Sequence, residues 1–123
     1  MIKIILADDH PSMREGVRSI LENEKNIQIL ATAENGRELM VLLQKFQPDI
    51  ILMDINMPGM NGFDAAGKIK AIRPGLPILA QTAFALDEDK EKYGGNFDGY
   101  VTKPIKADEL KSKISAFLKD FTM

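Results

Sequence analysis

The chain has 123 residues, enough for one domain of common size, one that buries roughly two thirds of its unfolded surface without covalent staples. Its 16 basic and 18 acidic residues leave a formal charge of -2 with no basic run, which argues against nucleic-acid binding by this chain alone. Cysteine is absent, excluding disulfides and thiolate chemistry, and no signal-peptide core or membrane-length apolar run occurs, so the expected location is cytoplasmic and off the membrane.

Ile2 to Ala7 is a nearly continuous apolar run that stops at Asp8, Asp9 and His10. Pro11 then opens a segment with Met13, Val17, Ile20 and Leu21 at three-and-four spacing, the pattern of a strand followed by an amphipathic helix. Ile27 to Ala33 is the second strand, and Asn35 with Gly36 introduces a helix whose Leu39, Leu42, Leu43 and Phe46 fall on one stripe. Asp49 to Met53 is the third strand. After Asp54 and a loop of Asn56, Pro58, Gly59 and Asn61 comes a helix carrying Phe63, Ala66, Ile69 and Ile72, stopped by Pro74 and Gly75. Pro77 to Ala80 reads as the fourth strand, ending near Thr82. Asp87 to Lys92 supports only a short fourth helix with a thin apolar face, closed by Gly94 and Gly95. Tyr100 to Thr102 is a fifth strand, and Leu110, Ile114, Phe117, Leu118 and Phe121 mark a last amphipathic helix.

Five strands alternating with five helices predict one α/β domain over 1–123, a doubly wound (βα)5 parallel five-stranded sheet with right-handed crossovers and both faces covered. Strands buried on both faces explain apolar runs that are continuous rather than alternating. In such a sheet ligands sit beyond the carboxyl ends of the strands, where the strand order reverses. Polar residues gather at those ends: Asp8 and Asp9 after the first strand, Asp54 after the third, Thr82 after the fourth and Lys103 after the fifth. If the first and third strands are neighbours, Asp9 and Asp54 meet. Carboxylates sharing a cleft call for a cation, and a hard divalent ion suits an all-oxygen site that leaves a position for a phosphate oxygen. Lys103 would then offset phosphoryl charge while Asp54 acts as nucleophile. Singly, these residues have plainer uses: Asp8 and Asp9 as helix caps, Asp54 and Thr82 in turns, Lys103 as a surface lysine. Their joint placement, each type at its own strand end, favours the chemical reading. His10, the single histidine, reads as an exposed residue at a helix start with no phosphoryl-carrying role.

The blocks ADDH at 7–10, LMDINMPGMNG at 52–62, QTA at 81–83 and DGYVTKPI at 98–105 resemble the signature blocks of the response-regulator receiver domain of two-component signalling, and the likeness covers nearly the whole chain. The resemblance implies the flavodoxin-like receiver fold with strand order 2-1-3-4-5 and a phosphoacceptor role for Asp54. It implies a magnesium (or manganese) site in which Asp9 is the more direct ligand, Asp8 acts through water, and Asp54 and the backbone carbonyl of Asn56 contribute. Thr82 and Lys103 would meet the phosphoryl oxygens, and Tyr100 would be the aromatic whose orientation follows Thr82. Phe84 lies where receivers modulate attack of water on the phosphoryl group, and the Lys103–Pro104 peptide is typically cis. The implied donor is a histidine kinase or histidine phosphotransfer protein. The implied output is a switched face built by the fourth helix, fifth strand and last helix, the chain being either a stand-alone receiver or a piece of a longer protein with an effector domain outside this chain.

Thr82 and Lys103 are about one residue closer in sequence than the receiver pattern, with the loss falling around KEKYGGNFDGY, where glycines costing roughly 1 kcal/mol each in a helix imply a shortened or frayed fourth helix. ILADDHPSMREGV is similar to receivers that precede DNA-binding domains, whereas TAFA and KPI are closer to receivers of hybrid histidine kinases. A phosphohydrolase resembling haloacid dehalogenases would want a second acid two residues after its nucleophile, where this chain has Asn56. A pseudo-receiver would lack one of the acids, the threonine or the lysine, and all are present. Flavin binding finds no Ser/Thr/Gly-rich phosphate loop after the first strand. The expected role is therefore a signalling phosphoacceptor with self-catalysed transfer and autodephosphorylation, not an enzyme turning over an external substrate.

Overall fold

The computed structural model describes residues 2–55, 62–82, 97–102 and 105–117. The predicted fourth helix, the loop with Asn56, the position of Phe84 and the Lys103–Pro104 peptide lie outside these residues. In chain order the elements are β1 (Ile2–Ala7), α1 (Pro11–Glu22), β2 (Ile27–Ala33), α2 (Gly36–Lys45), β3 (Ile50–Asp54), α3 (Gly62–Ile72), β4 (Ile78–Thr82), β5 (Gly99–Thr102) and α4 (Ala107–Phe117). The strands form one parallel sheet in the order β2-β1-β3-β4-β5.

Successive strand residues point to opposite faces, and here both faces are apolar. Ile4 and Leu6 of β1 join Leu52, Leu79 and Val101 beneath α1 and α4, through Val17, Leu21, Leu110 and Ile114. Ile5 and Ala7 join Ile51, Met53, Ile78 and Ala80 on the other face, against Leu39 and Leu43 of α2 and Ala65, Ala66 and Ile69 of α3. Two core layers on one sheet leave the chain ends of the strands as the open ground for polar chemistry.

Local chemistry sets the boundaries. Asn35 caps α2, its side chain accepting from Glu38 N in the first turn, while Glu38 Oε1 accepts from Glu34 N just before the cap, so the two ends of the entry turn are tied reciprocally. Phe46, expected on the helical stripe of α2, sits just past it in extended backbone and still packs on the core. Ile72 departs from the expected stripe: it is 59% exposed. The positions four apart, Ile69 and Arg73, lie closer on a helix surface than those three apart, about 40° against 60°. Arg73 takes the inner place and donates to the carbonyls of Phe46 and Leu43, capping the end of α2.

At the amino edge of the sheet Asp98 ties three elements together. Its Oδ2 accepts from Ile78 N at 2.8 Å and from Lys70 Nζ at 2.7 Å, and Lys70 also donates to the Leu76 carbonyl. Removing a carboxylate that serves both an amide and an ammonium leaves two donors unserved, so Asp98→Ala is expected to lower unfolding free energy by about 2 kcal/mol, measured by urea denaturation. A loss under about 0.5 kcal/mol would show that water replaces the carboxylate at no cost.

Candidate functional site

The crevice between β1 and β3 is the reversal point of the strand order, because the chain leaves β1 for β2 on one side and crosses to β3 on the other. Ala7 pairs with Met53, so the next residues, Asp8 and Asp54, stand level at the carboxyl edge. Asp54 is the last residue of β3 rather than the first after it, as the sequence pattern suggested, since its backbone stays in register with Gln81 of β4. The ladder continues one step further through Ile55 N to the Gln81 carbonyl. The carboxylate therefore stands on a rigid strand, fully buried at 0% exposure.

Asp8 is 2% exposed and its backbone is fixed from two sides: its amide donates to the Ala33 carbonyl at 2.9 Å, and its carbonyl accepts from Arg14 Nη1 at 2.7 Å. Arg14 is anchored in turn beside Glu34. Asp8 Oδ1 accepts from the amide of His10 two residues on, which bends the chain into an Asx turn and brings the imidazole back over the carboxylates. His10 Nδ1 lies 2.9 Å from Asp9 Oδ1, 3.2 Å from Asp8 Oδ1 and 3.5 Å from Asp54 Oδ2. One ligand-type atom from each of these four residues lies within 4.8 Å of the others.

The donor set fits a divalent cation. Two of its carboxylates are buried, and Asp9 Oδ1, also buried, receives no hydrogen bond among the described residues. Negative charge held out of water at such spacing is stable when a cation shares it.

Thr82 closes β4 one residue beyond Gln81 and is buried at 7% exposure. By strand alternation it lies on the face of Ala80, the residue in register with Tyr100. Tyr100 is half-buried against that core layer, its ring edge-to-face with Phe97 at 5.9 Å. Asp8, Asp9 and Asp54 are thus brought together, with Thr82 and Tyr100 on neighbouring register positions; Asn56, Phe84 and Lys103 lie outside the described residues.

Two side chains here were not anticipated. His10 is exposed at 55%, as expected for a helix start, yet its ring enters the acid cluster; the contiguous Asp-Asp-His at a strand end was the available signal. Gln81, in register with Asp54, is buried with its Oε1 lacking a partner among the described residues. A glutamine in an otherwise apolar strand was the sign of it.

A family model described as the response regulator receiver domain matches residues 4–115. The transcriptional regulatory protein LnrK of Bacillus subtilis is 37% identical over 113 residues, covering 89% of this chain and 50% of LnrK, so the chain spans about half the length of that relative. An uncharacterized 14.6 kDa protein in the sodA1 3′ region of Leptolyngbya boryana is 36% identical, over 87% of this chain and 82% of its own. Among solved structures, the response regulator protein TrrA from Thermotoga maritima, in complex with Mg2+-BeF, superposes with a TM-score of 0.84 at 34% identity, covering 96% of this chain and all of TrrA. With the strand order, the acid cluster at the β1–β3 crevice and a family match over nearly its full length, the chain belongs to the response regulator receiver domain family.

Proposed function

We propose that residues 1–123 form a receiver domain that accepts a phosphoryl group on Asp54 from the phosphohistidine of a histidine kinase or histidine phosphotransfer protein. The observation that carries this reading is the buried Asp54 carboxylate on the end of a central strand, level with Asp8, with ligand atoms of Asp8, Asp9 and Asp54 within 4.8 Å of one another. In the transfer an Asp54 oxygen forms a bond to phosphorus as the phosphorus–nitrogen bond breaks, its electron pair leaving with the imidazole of the donor. Asp8, Asp9, Asp54 and the Asn56 carbonyl would hold magnesium, with manganese a substitute, and TrrA's complex with Mg2+-BeF supports that assignment. The ion, when bound, supplies positive charge opposite the phosphoryl oxygens.

Thr82 and Lys103 serve the same oxygens from the next two strands. Phosphorylation adds about two negative charges, which draw the Thr82 hydroxyl and Lys103 ammonium inward and vacate space that Tyr100 takes up. Thr82 and Tyr100 share one face of the sheet, which supports their coupling. Phe84 screens the acyl phosphate from water. The activity is phosphotransfer and autodephosphorylation of the chain itself, and the effector is a domain outside it, in keeping with its span of half of LnrK, a transcriptional regulatory protein. Its setting is the cytoplasm; among the described residues no helix is long and apolar enough to cross a membrane.

The test is intact mass after incubation with a small acyl-phosphate donor. The parent gains one phosphoryl group with magnesium and none with chelator, and Asp54→Ala gains none in either condition. A parent that stays unmodified while folded overturns the reading in favour of a pure interaction domain.

A further inference from the structure

His10 Nδ1 faces three carboxylate oxygens at 2.9, 3.2 and 3.5 Å; its contact with Asp8 Oδ1 has hydrogen-bond geometry, and its one proton can align on a single oxygen. The oxygen it approaches most closely, Asp9 Oδ1, is buried and receives no hydrogen bond among the described residues. Beside the cluster, Gln81 is in register with Asp54, so both side chains leave the same face of the sheet, and the buried Gln81 Oε1 also lacks a donor among the described residues. The 2.9 Å approach of His10 Nδ1 to Asp9 Oδ1 without a hydrogen bond between them fits two ligands of one cation.

The distances agree. In an octahedral shell with ligands at about 2.1 Å, adjacent ligands stand about 3.0 Å apart and opposite ones about 4.2 Å. The Nδ1–oxygen separations of 2.9 to 3.5 Å match adjacent vertices, and the widest separation in the set, within 4.8 Å, needs to close by no more than about half an ångström. The backbone already holds the imidazole there, through the His10 amide bonded to Asp8 Oδ1 and the fixed turn into Pro11.

We propose that His10 is a ligand of the metal site, its Nδ1 joining the carboxylates of Asp8, Asp9 and Asp54, so that the site takes nitrogen-accepting divalent ions more tightly than an all-oxygen site would. Imidazole favours nickel, cobalt and zinc over magnesium, and the divalent series strengthens toward nickel for any such mixed set. A ring that ligates through Nδ1 carries its proton on Nε2. The inference rests on the metal-dependent phosphoacceptor reading and adds to it a nitrogen ligand beside the four oxygen ligands named there.

Because His10 is the single histidine and there is no cysteine, an imidazole signal from tag-free protein has one source. Parent and His10→Gln are titrated calorimetrically with Mg2+ and with Ni2+, and the Mn2+-loaded proteins are examined by pulsed electron paramagnetic resonance for nitrogen coupling. The expected result is a nitrogen coupling in the parent that the variant lacks, with Ni2+ affinity falling at least about tenfold and Mg2+ affinity changing less than about threefold. Absence of nitrogen coupling in the parent, or Ni2+ and Mg2+ affinities that rise together in the variant, overturns the assignment and makes His10 a competitor of the metal. The parent's Mg2+-dependent mass gain reports separately on the phosphoacceptor reading, so a parent that is phosphorylated yet shows no nitrogen coupling overturns the ligand assignment alone.

Discussion

Asp54→Asn is expected to take up no phosphoryl group and, without metal, to unfold at a higher temperature than the parent. The first effect follows from chemistry: an amide oxygen is a poor nucleophile and its phosphorylated form has no stable equivalent of an acyl phosphate. The second follows from charge. Asp8 and Asp54 are both buried, Asp9 stands beside them, and ligand atoms of all three lie within 4.8 Å of one another. Like charges at such spacing in a poorly solvated crevice repel by several times what they would in water. Replacing one carboxylate by an isosteric amide relieves that repulsion and supplies an N–H beside the remaining carboxylates. About 2 kcal/mol of stabilisation, or roughly 8 °C in Tm for a domain of this size, is expected by calorimetry in chelator. Magnesium narrows the difference, because binding at a hundred times the dissociation constant stabilises by about 2.7 kcal/mol and the parent binds it better. A metal-free Asn variant less stable than the parent would show that hydrogen bonds to the Asp54 carboxylate outweigh the repulsion.

How far these features could be read from sequence depended on whether the backbone or a side chain decided them. The apolar runs at Ile2–Ala7 and Ile27–Ala33 coincide with β1 and β2 because a strand buried on both faces has no polar position to blur its limits. β3 is displaced by one residue at each end from the predicted strand, Asp49 to Met53. Ladder pairing is a main-chain property, so it extends through the polar Asp54, while Asp49, outside the strand, uses its carboxylate to accept from Lys3 N. The meeting of Asp9 and Asp54, with Asp8 level beside them, followed from strand order, which the family likeness supplied and periodicity could not. His10 was legible as a residue type but not as a position. An extended backbone at its φ of -99° and ψ of 109° and a bond from its amide to Asp8 turn the ring inward, and neither leaves a trace in a one-dimensional pattern. Ile72 was misplaced for a related reason, since Arg73 competes for the inner face of α3 with hydrogen bonds that hydrophobic spacing does not register.

Leu52→Ala is the substitution expected to cost the fold most. Leu52 lies at the centre of the central strand, 1% exposed, in register with Leu6 of β1 on one side and Leu79 of β4 on the other. Three leucines abreast thus form a row on the face that α1 and α4 cover. Their neighbours are held in a pleated ladder on three strands and cannot move together to fill the space left by a truncated side chain. The cost should fall in the upper half of the range for buried leucines, about 3–5 kcal/mol by urea denaturation, a large part of the roughly 5–15 kcal/mol that stabilises a typical domain. Ile72→Ala, on an exposed position, removes a side chain of similar size and should change stability by less than about 0.5 kcal/mol. A Leu52→Ala cost below about 1.5 kcal/mol would mean that α1 or α4 settles onto the sheet to close the cavity. The acid cluster should be spared below the lowered melting temperature, because Asp8 and Asp54 are positioned by backbone bonds to Ala33, Arg14 and Gln81, none of which passes through the Leu52 side chain. Retained Mg2+ affinity in folded Leu52→Ala would separate the two layers of the design: a sheet whose side chains carry the stability, and a carboxyl edge whose main chain carries the site.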